Sequence, residues 1–271
     1  MNLPTSFYDS EEQFLSESFL NNGFVKGGVF SPLLLDKVRE LIVGLVAEYL
    51  GHAVIRDPAD FLNNIHALIS PHEVNELNLA ISKKMNQQNW LRPVFYQLSS
   101  NALNMVAGNE LAMQMQINLS IQLPGDENTL LPVHADMWLG DAPFEVSAWL
   151  PLVDCQRTKS IFLLPPEPSR RLRNEVAEFG SKNSEDIFKR VEKAVQWMDV
   201  DYGEFLLFNQ NLPHGYRINN EGKTGWALSC RFKSVFTPYA DNRLGEFFEP
   251  ITLRATTRVG MNYQLAGELN D

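Results

Sequence analysis

The sequence predicts a mainly β core, a sandwich or barrel, wrapped by helices. Three observations point there. A helical period runs through the first third of the chain, a strict two-residue alternation occupies its middle, and short strand-like runs follow, interrupted by one long helical stretch. With 271 residues, 44% of them hydrophobic and 17 of them Phe, the chain can bury a core and is not a disordered one. We expect one domain over 1–271. Its parts would be a mostly helical support over 1–110, a strand-rich core over 111–236 with a helical insertion at 166–199, and a C-terminal extension over 237–271.

The helical part is read from caps and period. Ser31-Pro32 sets an N-cap before a proline at the first helical position. Apolar residues then recur at Leu34, Leu35, Val38, Leu41, Ile42, Leu45, Val46 and Tyr49, one face of a helix that Gly51 ends. Asp57-Pro58 opens a second helix, and Ser70-Pro71 a third that ends near Asn86.

From Met113 to Leu123 the period becomes two. Met113, Met115, Ile117, Leu119, Ile121 and Leu123 alternate with Gln114, Gln116, Asn118, Ser120 and Gln122, a half-buried strand that Pro124-Gly125-Asp126 closes. Further strands are expected at 144–152, 160–164, 204–208 and 226–236, and a helix at 172–198.

Charge and cysteine content exclude several functions. Acidic residues outnumber basic ones 33 to 23, a net charge of −10, which disfavours nucleic acid and anionic membrane surfaces as partners. One basic cluster stands out, Arg157, Lys159, Arg170, Arg171 and Arg173. No apolar run approaches the ~20 residues that span a bilayer, and the segment from Met1 to Glu12 has no secretory pattern, so a cytoplasmic location is expected. Cys155 and Cys230 provide neither a disulfide framework nor a thiolate zinc site. The expected partner is a small-molecule substrate.

The histidines narrow the chemistry. His52, His66 and His72 lie in the helical part with no ligand-like spacing. His134 stands in Leu131-Pro-Val-His134-Ala-Asp136-Met-Trp138, and on an extended chain residues i and i+2 share a face, so His134 and Asp136 can address one metal ion. His214 is the one histidine downstream of Asp136. Two imidazoles and a carboxylate are the facial triad of non-haem Fe(II) oxygenases, whereas a structural zinc site would close its fourth position with another Cys or His.

The sequence resembles the Fe(II)/2-oxoglutarate-dependent oxygenases, in particular the phytanoyl-CoA dioxygenase-like branch and its bacterial members from carbohydrate and aminoglycoside biosynthesis. The resemblance runs through Phe19-Leu-Asn-Asn-Gly23-Phe-Val, Gln116-Ile-Asn118-Leu-Ser-Ile-Gln-Leu-Pro124-Gly-Asp, His134-Ala-Asp136, Trp149-Leu-Pro-Leu-Val-Asp154-Cys, Asn211-Leu-Pro-His214-Gly and Cys230-Arg231-Phe-Lys233-Ser. It implies a double-stranded β-helix (jelly roll, cupin-like) core with flanking helices. It also implies His134, Asp136 and His214 as iron ligands, with 2-oxoglutarate and O2 as cosubstrates. In that branch an arginine about eleven residues after the second histidine anchors 2-oxoglutarate, and here Gly225 stands at that place.

Two basic residues are candidates to replace it. Arg231 shares the strand face of residue 225, with a structural salt bridge as its alternative role, and Lys159 begins another strand. Gln116 and Asn118 share a polar face that either points into the barrel toward the cosubstrate or faces solvent. Trp138 and Trp149 either line the substrate pocket or pack in the core. The expected function is hydroxylation of a small polar metabolite, with a carbohydrate or sugar-containing intermediate as the candidate class, and Asp136 disfavours halogenation. Two other readings are a jelly-roll metal-binding protein without 2-oxoglutarate turnover and a non-catalytic module that uses the basic cluster.

Overall fold

A computed structural model describes residues 6–52, 54–127, 131–176 and 184–264. The first third is helical, as the caps predict. Helices α1 (Ser10–Asn22), α2 (Pro32–Leu50), α3 (Pro58–Asn63), α4 (Val74–Met85) and α5 (Leu91–Ala107) are interrupted only by strand β1 (Phe24–Gly28). The Ser31 hydroxyl caps α2 by accepting from the Leu34 amide, and Asp57 caps α3 at the Asp60 amide. Strand β1 and helices α1 and α5 are elements that the caps and periodicity did not announce.

The alternating segment forms two strands rather than one, β2 (Leu111–Gln114) and β3 (Asn118–Gln122). Then follow β4 (Leu131–His134), β5 (Val146–Pro151), β6 (Phe162–Leu163), α6 (Pro166–Val176), α7 (Ser184–Val191), β7 (Gln196–Trp197), β8 (Glu204–Asn209), β9 (His214–Tyr216), β10 (Gly225–Ser234), β11 (Phe248–Pro250) and α8 (Ala255–Met261). The helix expected over 172–198 is therefore corrected at its end: Gln196–Trp197 leaves it to pair with β6. Residues 177–183 of that expectation lie outside the described ones.

Two antiparallel sheets face each other. The larger runs β1-β8-β5-β10-β2-β11 with β3 also on β10, and the smaller runs β4-β9-β6-β7. This is a jelly roll; helices of the first third cover its larger sheet, and α7 packs on the smaller one through Phe188 and Phe162. Strand β10 shows how the sequence sorts the two faces. Trp226 donates its indole N–H to the Leu62 carbonyl (2.8 Å), and Phe232 stacks on Phe95 of α5, so the even residues face the helices. Each such large buried side chain contributes roughly 2–3 kcal/mol. Asn86 and Asn78 tie α4 to the edge of the sheet through the backbone of Ile117 and Leu119.

Between β2 and β3 the ladder bulges. Met113 pairs with Phe232 and Asn118 with Ser229, so four residues on one side oppose two on the other. The Arg231 amide, freed from the ladder there, donates to the Gln114 side chain (3.2 Å). The bulge also carries Gln116 outward to solvent.

Candidate metal centre

His134 and His214 are cross-strand partners on β4 and β9, with ring centroids 4.4 Å apart. Gly215 makes that approach possible: a Cβ there would stand 2.4 Å from the Leu131 carbonyl oxygen and 3.1 Å from that of Pro132. Asp136 follows β4 in a short 3-10 turn, and its amide donates to the Gln210 carbonyl (3.1 Å). The His134 Nε2 lies 3.4 Å from Asp136 Oδ1 and the His214 Nε2 lies 3.9 Å from Oδ2. One ligand atom from each of the three residues fits within 4.8 Å of the others, a spacing that can hold a metal ion.

The chemistry of the donor set fits a divalent transition metal. Each imidazole donates Nδ1–H to a backbone carbonyl, Pro132 for His134 and Leu212 for His214, both at 2.8 Å, which leaves the two Nε2 lone pairs for a metal. Burial pushes His214 down to about 4, so it stays neutral. Burial also lowers His134, but hydrogen bonds to Asp136 and the Pro132 carbonyl outweigh it and the net shift is upward. Burial would raise Asp136, yet the His134 hydrogen bond and the nearby His214 and Arg231 hold its carboxyl below the ordinary range.

A cavity of about 280 Å³ opens at this centre. Residues of the larger sheet line it: Asn118 and Ser120 of β3, Ser147 and Trp149 of β5, and Ser229, Cys230 and Arg231 of β10. Phe208 packs edge-on against His214 at 5.1 Å. The Trp149 indole donates to the Tyr216 hydroxyl across the barrel (2.6 Å). Arg231 forms ion pairs with Asp136 (3.0 Å) and Asp141 (2.8 Å). It lines the cavity and also forms the salt bridge that was its alternative role.

Three expectations are corrected by position. Lys159 does not reach this cavity. It is buried, its ammonium donates to the Asn63 side chain (2.7 Å), and it lines a separate cavity of about 320 Å³ with Asp154, Gln156, Arg157, Glu221 and Lys223. Gln116 is placed outside by the bulge, and of the polar pair only Asn118 lines the cavity. Trp138 is not among the lining residues and stands 38% exposed beside the site. Of the basic cluster, Arg157 and Lys159 line that separate cavity, and Arg170 and Arg171 both pair with Glu167.

Sequence reasoning missed Tyr216, Ser147, Ser229 and Asp141. The first three were findable, each two residues along a strand from His214, Trp149 or Arg231. Asp141 carried no such signal, because it lies on a loop.

No protein-family model and no curated protein matches the chain. Solved structures do. The carbocyclase SnoK from nogalamycin biosynthesis, described as non-heme and alpha-ketoglutarate-dependent, aligns with TM-score 0.55 and 16% identity, covering 93% of this chain and all of its own (100%). AviO1 from Streptomyces viridochromogenes Tue57 aligns with TM-score 0.51 and 14% identity, covering 86% and 99%. HygX from Streptomyces hygroscopicus, solved with nickel and 2-oxoglutarate bound, aligns with TM-score 0.50 and 14% identity, covering 84% and 88%. At these identities the likeness establishes the fold: the chain is a helix-flanked jelly roll of the kind on which these proteins are built.

Proposed function

We propose that the chain is an Fe(II)- and 2-oxoglutarate-dependent oxygenase acting on a small molecule. The observation that carries this reading is the triad of His134, Asp136 and His214 beside a cavity, with both Nδ1 atoms engaged and no fourth histidine, cysteine or carboxylate in the cluster among the described residues. The structural neighbours support it, since SnoK is an alpha-ketoglutarate-dependent carbocyclase and HygX binds nickel and 2-oxoglutarate. Bound at the triad, iron would supply the oxidation of a substrate C–H bond, with O2 consumed and 2-oxoglutarate converted to succinate and carbon dioxide.

The chain's own residues do the rest. His214 is held neutral, His134 would give up its Nε2 proton on binding the metal, and Asp136 brings one negative charge. Arg231 is the cation that lines the cavity and is the residue we assign to a carboxylate of 2-oxoglutarate, with Asn118 as a neutral partner. Phe208 and the Trp149–Tyr216 pair exclude water from the buried side. Ser120, Ser147 and Ser229 give the wall small polar groups suited to a hydroxylated substrate such as a carbohydrate-containing metabolite.

One observation favours a second reading, a metal-binding jelly roll without 2-oxoglutarate turnover: Arg231 already serves two carboxylates. Anaerobic titration with Fe(II) and 2-oxoglutarate, followed by succinate measurement on admitting O2, separates the two. Succinate that disappears in His214→Ala supports the oxygenase, and metal binding without succinate supports the alternative.

A further inference from the structure

We propose that Glu145 and Gln210 are a pair of positioning residues for the metal centre, and that together they set where Asp136 and His214 stand. This inference rests on the reading of His134, Asp136 and His214 as metal ligands.

One short link orients both of those ligands. Residues 210–213 join β8 to β9, and two of their carbonyls hold the centre. The Gln210 carbonyl accepts from the Asp136 amide (3.1 Å), and the Leu212 carbonyl accepts from His214 Nδ1 (2.8 Å). A shift of this link would turn the carboxylate and the imidazole together.

A buried side-chain pair fixes the link. Gln210 is fully buried and Glu145 is 1% exposed. The Gln210 side-chain amide donates to one oxygen of Glu145 (2.8 Å) and to the Ala142 carbonyl (3.4 Å). The Ala142 amide donates to the other oxygen of Glu145 (3.3 Å). Glu145 immediately precedes β5, whose Ser147 and Trp149 line the metal cavity, so the pair ties the link to the cavity wall. The loop between Asp136 and Glu145 is held as well: Asn211 donates to the Pro143 carbonyl (3.0 Å), and Asn242 binds the Asp141 carboxylate.

Stability alone does not favour this pair. Gln210 Oε1 is buried with no hydrogen-bond partner among the described residues. The amide cannot turn over to relieve it, because an ionised carboxylate and a carbonyl both only accept. Glu145 holds its carboxylate away from water, and the buried Lys233, which feels its charge, is bonded to the Pro238 carbonyl instead. Apolar side chains of similar size would fill the same space without these penalties. They would not fix the distance and direction between the link and the wall, which the hydrogen bonds do.

Anaerobic Co(II) titration of the metal-free full chain, followed by visible absorption, reads affinity and coordination geometry, and urea unfolding of the metal-free chain reads stability. In Glu145→Leu/Gln210→Met, Co(II) affinity should fall about 10–100-fold with altered absorption bands, while metal-free stability is retained or rises. Glu145→Gln can still accept from the Gln210 amide and should bind Co(II) about fivefold or more tightly than the double variant, the worth of one hydrogen bond. Natural Co(II) affinity and absorption in the double variant overturn the proposal. So does a double variant that fails to fold or loses stability, because the pair is then a structural brace, and so does a Glu145→Gln chain no better than the double variant. His214→Ala separates the two readings. Co(II) binding that does not need His214 overturns the metal centre and the pair with it, whereas binding that needs His214 but not Glu145 overturns the pair alone.

Discussion

Arg231 binds Asp136. Its guanidinium stands 3.0 Å from one oxygen of the triad carboxylate and 2.8 Å from Asp141, so the longest strand of the larger sheet reaches the metal centre through a single side chain. The pair orients Asp136 and places a positive charge beside a site meant for a cation.

Arg231→Gln tests that double duty. We expect 2-oxoglutarate affinity to fall by about tenfold or more, the loss of one charge-assisted hydrogen bond. Stability should fall by about 1–3 kcal/mol, because Asp136 and Asp141 lose their partner. Calorimetry with Mn(II) and 2-oxoglutarate checks the first and urea unfolding the second. Unchanged 2-oxoglutarate affinity would confine Arg231 to a structural role.

His214→Ala should lower divalent-metal affinity beyond the 10–100-fold typical of losing a mere supporting contact. The far-ultraviolet dichroism of the chain should be retained. Equal metal affinity in the variant would remove His214 from the ligand set.

Gly225→Arg places an arginine where the oxygenases that the sequence resembles carry one, yet it should not supply an anchor. A Cβ there meets the Lys159 carbonyl oxygen at 2.9 Å and the Lys159 Cγ at 3.1 Å. The cost should be about 1–3 kcal/mol of stability from overpacking, with no gain in 2-oxoglutarate affinity. A tighter complex in this variant would falsify the account of Lys159 as the residue that fills the space.

Gly215→Ala forces a methyl to 2.4 Å from a backbone oxygen of the neighbouring strand. Strand β9 must then move off β4, taking His214 from His134. Loss of both stability and metal binding is expected, and a fully metal-competent variant would contradict the register.

The metal-free chain should show a pH signature of His214. Its imidazole falls from the ordinary 6.5 to about 4 on folding, so the unfolded chain binds the extra proton between those values. Stability therefore falls as pH drops through that window and levels below it, by about 3 kcal/mol at most. His134 shifts upward and acts oppositely, contributing stability at low pH that is lost as pH rises through its raised value. The difference between the natural chain and His214→Asn, measured by urea unfolding from pH 7 to 4, isolates the first effect. A pH-independent difference would contradict a buried neutral His214.

Much of this protein was legible in its sequence, because local rules operate there. Proline-led caps located α2 and α3, Ser70-Pro71 fell a few residues ahead of α4, which starts at Val74, and the two-residue alternation located the β2–β3 segment and sorted its faces. His134-Ala-Asp136 and the one later histidine stood out by residue type and spacing. What lies across the barrel could not be read that way. Strand parity says which face a side chain shares but not which end of the barrel it reaches, so Arg231 and Lys159 were both candidates until β10 was set against β5 and the turn that ends at Lys159 against Asn63 of α3. The bulge that expels Gln116 depends on how many residues of β10 oppose it. Asp141 turns inward, and its apolar neighbours outward, only because Arg231, Asn242 and Asn211 arrive from distant parts of the chain. Backbone periodicity is a local property of the covalent chain, while pairing of charges and filling of space are decided only when remote segments meet.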